Sequence, residues 1–300
     1  NMNDMKYLFL LFAATSLLFM GCSNEEDLTG GIGQPDSHGK IGFSFPMNSG
    51  GVTYAGTPND GNIVGSADEN VINSVHIYMF DGSVPGSTLL AYQIFSAADL
   101  SNNGGKALFD VAGYAAGTSA TFYAVANVEN SVPAASLSSI IIGYRLGDFQ
   151  KIISNNTGSA PITTIDPAKG LLMTGYTDVI DVINPTTAEK TINLKRRVAR
   201  FDISNIADDG QPGNPTGTNF FIQSILISNA KYAGYLTDEN STGASIPSGN
   251  LTPISYTGIN NGDTESEFYL WPTVLDVAES QTVISIEGVF NRIKQIYKVI

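Results

Sequence analysis

The chain has 300 residues and a formal net charge of −13, with 28 acidic against 15 basic side chains. Nucleic acid and anionic lipid headgroups need basic patches, so this balance excludes both as the main partner. Only 14% of residues are charged and one is a cysteine, so no intrachain disulfide can form, and the polar surface must come largely from Ser, Thr, Asn and Gly.

The N-terminus carries export signals. Lys6 is followed by an apolar run from Tyr7 to Met20 and then Gly21-Cys22. A basic flank, a short apolar stretch and a small residue before the cut describe a secretory signal. The run falls short of the about 20 apolar residues that span a bilayer. Cys22 stands where a bacterial lipobox places its lipidated thiol, with Phe19 where leucine is commonest. Residues 1–22 are therefore expected to be a lipoprotein signal peptide with Cys22 as the lipidation site; stable anchoring takes more than one acyl chain. Residues 23–39, with Glu25, Glu26 and Asp27 and then Gly, Pro and Ser, read as a flexible tether.

From Lys40 onward period-two alternation dominates. "KIGFSF" from Lys40 places Ile41, Phe43 and Phe45 on one face. In "VINSVHIYMF", Val75, Ile77 and Met79 share one face while His76, Tyr78 and Phe80 share the other, and Asp81-Gly82 makes the turn. Further strands are expected from Thr88, Lys106 and Ala120, each bounded by turn formers. Ala134–Ile153 has nearer helical spacing, which predicts one or two short helices packed on a sheet. A second β-rich block contributes strands from Lys190, Val198, Phe220, Ser266 and Thr282, with a turn-rich loop from Ala207 to Asn219. The fold class is mostly β with minor α: two sandwich-like domains in tandem, 40–182 and 183–300, the first with helical insertions. Alternation is still running at Ile300, so the second domain is expected to be incomplete as written, or its last strand completed by something else.

Catalytic signatures are missing. His38 falls in the tether and His76 in a strand, where it is expected to face solvent or a loop. Asp208 with Asp209, or Asp263, Glu265 and Glu267, could form the carboxylate pair of a glycosidase, but all fall in Gly- and Asn-rich turns where solvated acids are ordinary. No cofactor or metal is expected, and the phosphate-cradling patterns are absent. The basic cluster Lys195, Arg196, Arg197 and Arg200 is expected to present guanidinium groups to acidic loops or to the neighbouring domain.

Five segments in order carry a resemblance: "SVHIYMFDG" from Ser74, "TFYAVANVEN" from Thr121, "LLMTGY" from Leu171, "INLKRRVARFDIS" from Ile192 and "FYLWP" from Phe268. Behind a lipoprotein leader, they resemble the fimbrillins of Bacteroidetes pili. The resemblance implies two transthyretin-like β-sandwich domains in a surface pilin, anchored in the outer membrane by lipid and partnered by other pilin subunits. It also implies assembly by interchain strand addition, in which a protease cuts after a basic residue behind the first strand and a neighbour's strand refills the groove. Lys40, Ile41, Phe43 and Phe45 are the matching first strand. No Lys or Arg lies between Ile41 and Gly105, so only Lys40, ahead of the strand, offers such a cut. A retained strand with a retained lipid suits an anchor or accessory subunit. The alternative is a surface lipoprotein adhesin outside any pilus, binding glycan or protein on host or bacterial surfaces, with Trp271 or Tyr269 stacking on sugars unless core packing claims them.

Overall fold

In the computed structural model the described residues are 39–46, 66–115, 117–155, 161–182, 188–205, 220–237, 246, 248–255, 264–272, 281–290 and 293–299. The signal and tether with Cys22 and His38, the loop containing Asp208 and Asp209, and Asp263 lie outside them, as does the side chain of Glu265.

The N-terminal half runs β1 (Lys40–Ser44), β2 (Ser74–Phe80), β3 (Leu89–Ser96), α1 (Ala97–Asn102), β4 (Lys106–Asp110), β5 (Thr118–Ala126), α2 (Ala134–Ser138), α3 (Leu146–Gln150), β6 (Ile153–Asn155), β7 (Met173–Tyr176) and β8 (Ile180–Val182). It continues through β9 (Ala188–Thr191) and β10 (Lys195–Arg196). One sheet has the order β4-β1-β9 and another β10-β7-β5-β2-β3, with β8 also on β5. Alternation explains how they stack. Ile41, Phe43 and Phe109 from the small sheet meet Ile77, Met79, Phe122 and Ala124 from the large one in a single buried cluster. This is a sandwich, and Phe122 is its hinge point, with Phe43 at 4.9 Å and Phe109 at 5.3 Å between ring centroids.

The other face of the large sheet is also dry. Tyr78, Phe80, Tyr123 and Val125 pack against Leu146 and Phe149 of α3 and Ile140 before it. The two short helices expected between Ala134 and Ile153 are therefore lids on this face. α1 was not expected, although Ser96 and Asp99 form a capping box at its start.

The C-terminal half comprises β11 (Ala199–Asn205), β12 (Phe220–Ser228), β13 (Ala230–Lys231), β14 (Ala233–Tyr235), β15 (Ser248–Gly249), β16 (Ile254–Ser255), β17 (Thr264–Leu270), β18 (Val283–Phe290) and β19 (Ile293–Val299). β11 pairs with β17, and β16-β12-β18-β19 form a four-stranded sheet. Phe268 and Leu270 on one side and Ile222, Ile225, Ile227 and Ile284 on the other close a third cluster.

The boundary expected at 182/183 falls ahead of two strands that belong by hydrogen bonding to the first half. β9 runs parallel to β1, with Phe43 opposite Lys190, and β10 pairs with β7, with Arg196 opposite Met173. The halves are then joined in three ways. β6 pairs with β14, Leu236 and Trp271 enter the cluster under the helices, and Arg197 donates to the Tyr235 and Thr237 carbonyls at 3.0 and 3.1 Å. A Cβ on Gly234 would sit 2.3 Å from the Trp271 ring, so glycine lets the indole lie flat on β14.

Asn127 ends β5 in the left-handed region, φ 59°, and is fully buried. Its Nδ2 donates to the Val71 and Leu171 carbonyls at 2.8 and 2.9 Å, and its Oδ1 accepts from the Asn73 amide at 2.8 Å. Replacing it by Ala leaves these backbone groups unpaired and strains the turn. Asn127→Ala is expected to cost about 3 kcal/mol in urea unfolding, and Asn127→Asp at least as much, because a buried carboxylate cannot donate to the two carbonyls.

Candidate assembly site

β1 is a central strand. It pairs antiparallel with β4, Phe43 opposite Ala107, and parallel with β9 on its other side. Ile41, Phe43 and Phe45 are all buried while Lys40 is exposed at the head of the strand. Beyond β1, the Ile192 amide donates to the Ser44 carbonyl at 3.0 Å. Lys106 of β4 and Glu189 of β9 form an ion pair across the outer side of β1. Only Gly42 lies beneath it, with Glu189 Cγ and Lys106 Cδ each 3.9 Å from where its Cβ would be. The pair is solvated, so it contributes little; the burial of Phe43 and its neighbours holds the strand. Withdrawing this segment would leave a slot with backbone donors and acceptors on both walls and an apolar floor.

Among the described residues a second apolar strand lies at the edge of a sheet. β19 is the last strand of its sheet, in unbroken register with β18: Ile293 faces Phe290 and Tyr297 faces Ile286. That register puts Ile293 and Tyr297 on the side that carries the buried Ile284. They are nevertheless 62% and 54% exposed. Edge strands of this length invite pairing with another chain; Lys294 and Lys298 on the opposite face limit it.

The basic cluster is a staple at the base of the first sandwich. Glu69, in a 3₁₀ turn (Asp68–Asn70) ahead of β2, is 0% exposed. Arg196 Nη1 lies 2.8 Å from Glu69 Oε2, off the angle of a hydrogen bond, while Arg196 Nη2 donates to Asn70 Oδ1 at 2.7 Å. Arg200 pairs with Glu69 Oε1 and reaches Glu267 and Asp202, each at 2.8 Å. The Tyr269 hydroxyl lies within hydrogen-bonding reach of both Glu69 and Glu267. Burial, then the hydrogen bond to Glu267, pushes the Tyr269 phenol well above its ordinary range. Asp202 first, and then Glu69, raise the Arg200 guanidinium despite partial burial. Arg196 and Arg200 are thus turned inward, joining the turn before β2 to β10, β11 and β17, while Lys195 is exposed. Glu267, considered above as a possible catalytic acid, is an ion-pair partner here.

His76 departs from expectation. It is buried, with Nε2 2.6 Å from Glu129 Oε1 and Nδ1 3.3 Å from the Tyr78 hydroxyl. Both faces of β2 are covered, so a polar side chain there needs a partner. Trp271 and Tyr269 are core residues, neither presenting a face to solvent. Among the described residues no group of three or more His, Cys, Asp or Glu is placed to hold a metal ion.

A mostly β fold of several packed sheets with helical lids and a central N-terminal strand is the architecture of fimbrial and adhesin β-sandwich proteins. Residues 44–199 match the family model of the major fimbrial subunit protein (FimA), and the chain belongs to that family of structural fimbrial subunits. Solved structures share the fold at low identity. A cell adhesion protein from Parabacteroides distasonis is 21% identical with a TM-score of 0.53, covering 88% of this chain and 80% of that one. The tip fimbrial protein Mfa3 of Porphyromonas gingivalis, truncated at its C-terminus, is 16% identical with a TM-score of 0.51 and 77% coverage of both chains. A fimbrial assembly protein from P. distasonis is 12% identical with a TM-score of 0.50, covering 87% of this chain and 84% of that one. No curated protein sequence matches the chain.

Two outcomes test the site's electrostatics. Glu69→Ala strands two guanidinium groups beside each other and is expected to cost about 3–5 kcal/mol by urea titration, with Glu69→Ala/Arg196→Met recovering part of it. At Glu129, burial would lift the carboxyl, but hydrogen bonds from Ser74 and its own amide, together with His76, hold it below its ordinary range. A depressed carboxylate stabilises above its unfolded pKa and loses that contribution as pH falls through the folded value. Glu129→Gln should therefore lower the melting temperature at pH 7, and the deficit should begin to shrink only as the pH falls below about 4.3, the unfolded carboxylate value, and vanish below the folded value. A deficit that stays constant down to acid pH contradicts this.

Proposed function

We propose that this fimbrial subunit is a structural or accessory component, anchors included, that assembles by interchain β-strand addition and supports adhesion. Its partners are other pilin subunits, and a lipid on Cys22 holds it to the outer membrane at the cell surface. Two tandem sandwiches, meeting after Arg197 rather than near 182, are the units of this assembly. The observation that carries the reading is β1, held between β4 and β9 with Ile41, Phe43 and Phe45 buried, the kind of slot a strand from another chain can fill; among the described residues β19 also lies at a sheet edge, with Ile293 and Tyr297 more than half exposed. β1 supports the anchor role. Ile41, Phe43 and Phe45 are buried, and with no Lys or Arg behind the strand up to Gly105 the strand stays docked and joined to the lipid on Cys22, whereas a cut at Lys40 would release the molecule from the membrane.

The test uses the full chain expressed in cells that make its pili. Ile293→Lys/Tyr297→Glu should leave the melting temperature within about 2 °C, since both side chains are exposed. The same variant should lose co-purification with other pilin subunits, and undiminished co-purification would sink the strand-addition reading. Mass spectrometry of the mature protein should show a diacylglyceryl adduct on Cys22 and retention of Ile41–Phe45. A mature protein beginning beyond Phe45 would instead assign it to the pilus shaft.

A further inference from the structure

The large sheet carries a row of four tyrosines at one level. Tyr92 of β3 faces Tyr78 of β2, Tyr78 faces Tyr123 of β5, and Tyr123 faces Tyr176 of β7. The outer pairs are stacked, Tyr78 on Tyr92 at 6.1 Å and Tyr123 on Tyr176 at 5.3 Å, both with ring planes 24° apart. Phe149 of α3 packs on the two inner rings only, 4.8 Å from Tyr78 and 5.8 Å from Tyr123. Beyond that lid Tyr176 is 48% exposed and forms one wall of a cavity of about 250 Å³.

Thr174, Asn193, Lys195 and Thr237 supply the polar part of the lining, and Tyr123, Ala124, Val125 and Gly175 the remainder. Thr237 is 3% exposed and its Oγ1 has no hydrogen-bond partner. At the inner end, Gln150 Nε2 donates to the Tyr123 hydroxyl at 3.4 Å, fixing that ring's edge. No carboxylate stands among the described residues that line it, in a chain whose net charge is strongly negative.

We propose that this cavity is a saccharide site for a single acidic sugar ring, a uronic acid or its equivalent. A pyranose presents an apolar C–H face suited to the exposed flank of Tyr176, and hydroxyls that pair with Asn193, Thr174 and, after a small adjustment, Thr237. Lys195 meets the sugar carboxylate. The volume lies below the roughly 300–1,000 Å³ of drug-sized ligand sites, so the ring enters alone, as a terminal residue of a glycan. Rigid tyrosines already stacked in register require little ordering on binding. The site does not depend on strand addition, and either can fail without the other.

The test is a titration of the full chain with methyl β-glucuronide and methyl β-glucoside, read by saturation-transfer NMR. The glucuronide should bind saturably and about fivefold more tightly than the glucoside. Tyr176→Ala should weaken it at least about tenfold, Tyr176→Phe should retain it, and Lys195→Gln should bring the two sugars to equal affinity. Both replaced side chains are exposed, and the circular dichroism spectrum verifies that each variant is folded. Absence of saturable binding by either sugar, equal affinities in the unaltered chain, or full binding by Tyr176→Ala would each overturn the assignment.

Discussion

The parallel pairing of β1 with β9 is the constraint on which the first sandwich rests. A strand at the start of the folded chain lies between two walls, and one of those walls is reached only after the large sheet and its helical lids have been laid down. Phe43 lies at the bottom of that slot, against Phe109 and Phe122. Because the side-chain period of a strand is two, a one-residue slip would turn Ile41 and Phe43 outward and Gly42 inward. Register is therefore set by the same side chains that fill the core.

The second half is fixed to this framework by charge as well as by packing. Glu69 gains no hydration in its buried position, and two guanidinium groups and a phenol replace the lost water. Such a cluster contributes less to net stability than its contact distances imply, because desolvation opposes every pair. It does discriminate between arrangements: any shift of β10 or β11 relative to the turn before β2 exposes a buried ion to an apolar surface. Gly234 under Trp271 and Asn127 between three backbone segments act similarly, each accepting one geometry and excluding its neighbours.

Much of this was legible in the sequence. Alternation identified β1, β2, β12 and β18 and assigned Ile41, Phe43 and Phe45 to one buried face. The spacing between Ala134 and Ile153 revealed the helices over the sheet. Pairing of the basic cluster with an acidic turn was expected, though not its burial. What stayed hidden depends on partners far along the chain. Glu69 sits in "SADEN", which reads as an ordinary solvated turn, and its arginines come more than a hundred residues later. β9 and β10 look like the opening of a new domain because composition carries no information about which strand they will join. His76 reads as facing solvent or a loop until both faces of β2 are seen to be covered. The four tyrosines can be counted in sequence, but only register brings them level.

The separation between β1 and β9 also bears on how the molecule reaches its final form. Contacts between residues near 43 and near 190 are among the most distant in the first sandwich, and closing such long loops is what slows β-rich domains. The N-terminal strand precedes β9 in the chain and stays unpaired on one side until β9 has joined it. For that interval the place of β9 beside β1 is unfilled in every folding copy. Discrimination between self-filling and filling by another chain is then a matter of timing: the tethered strand, held at high effective concentration by its own polypeptide, outcompetes any free one as soon as its far wall is built.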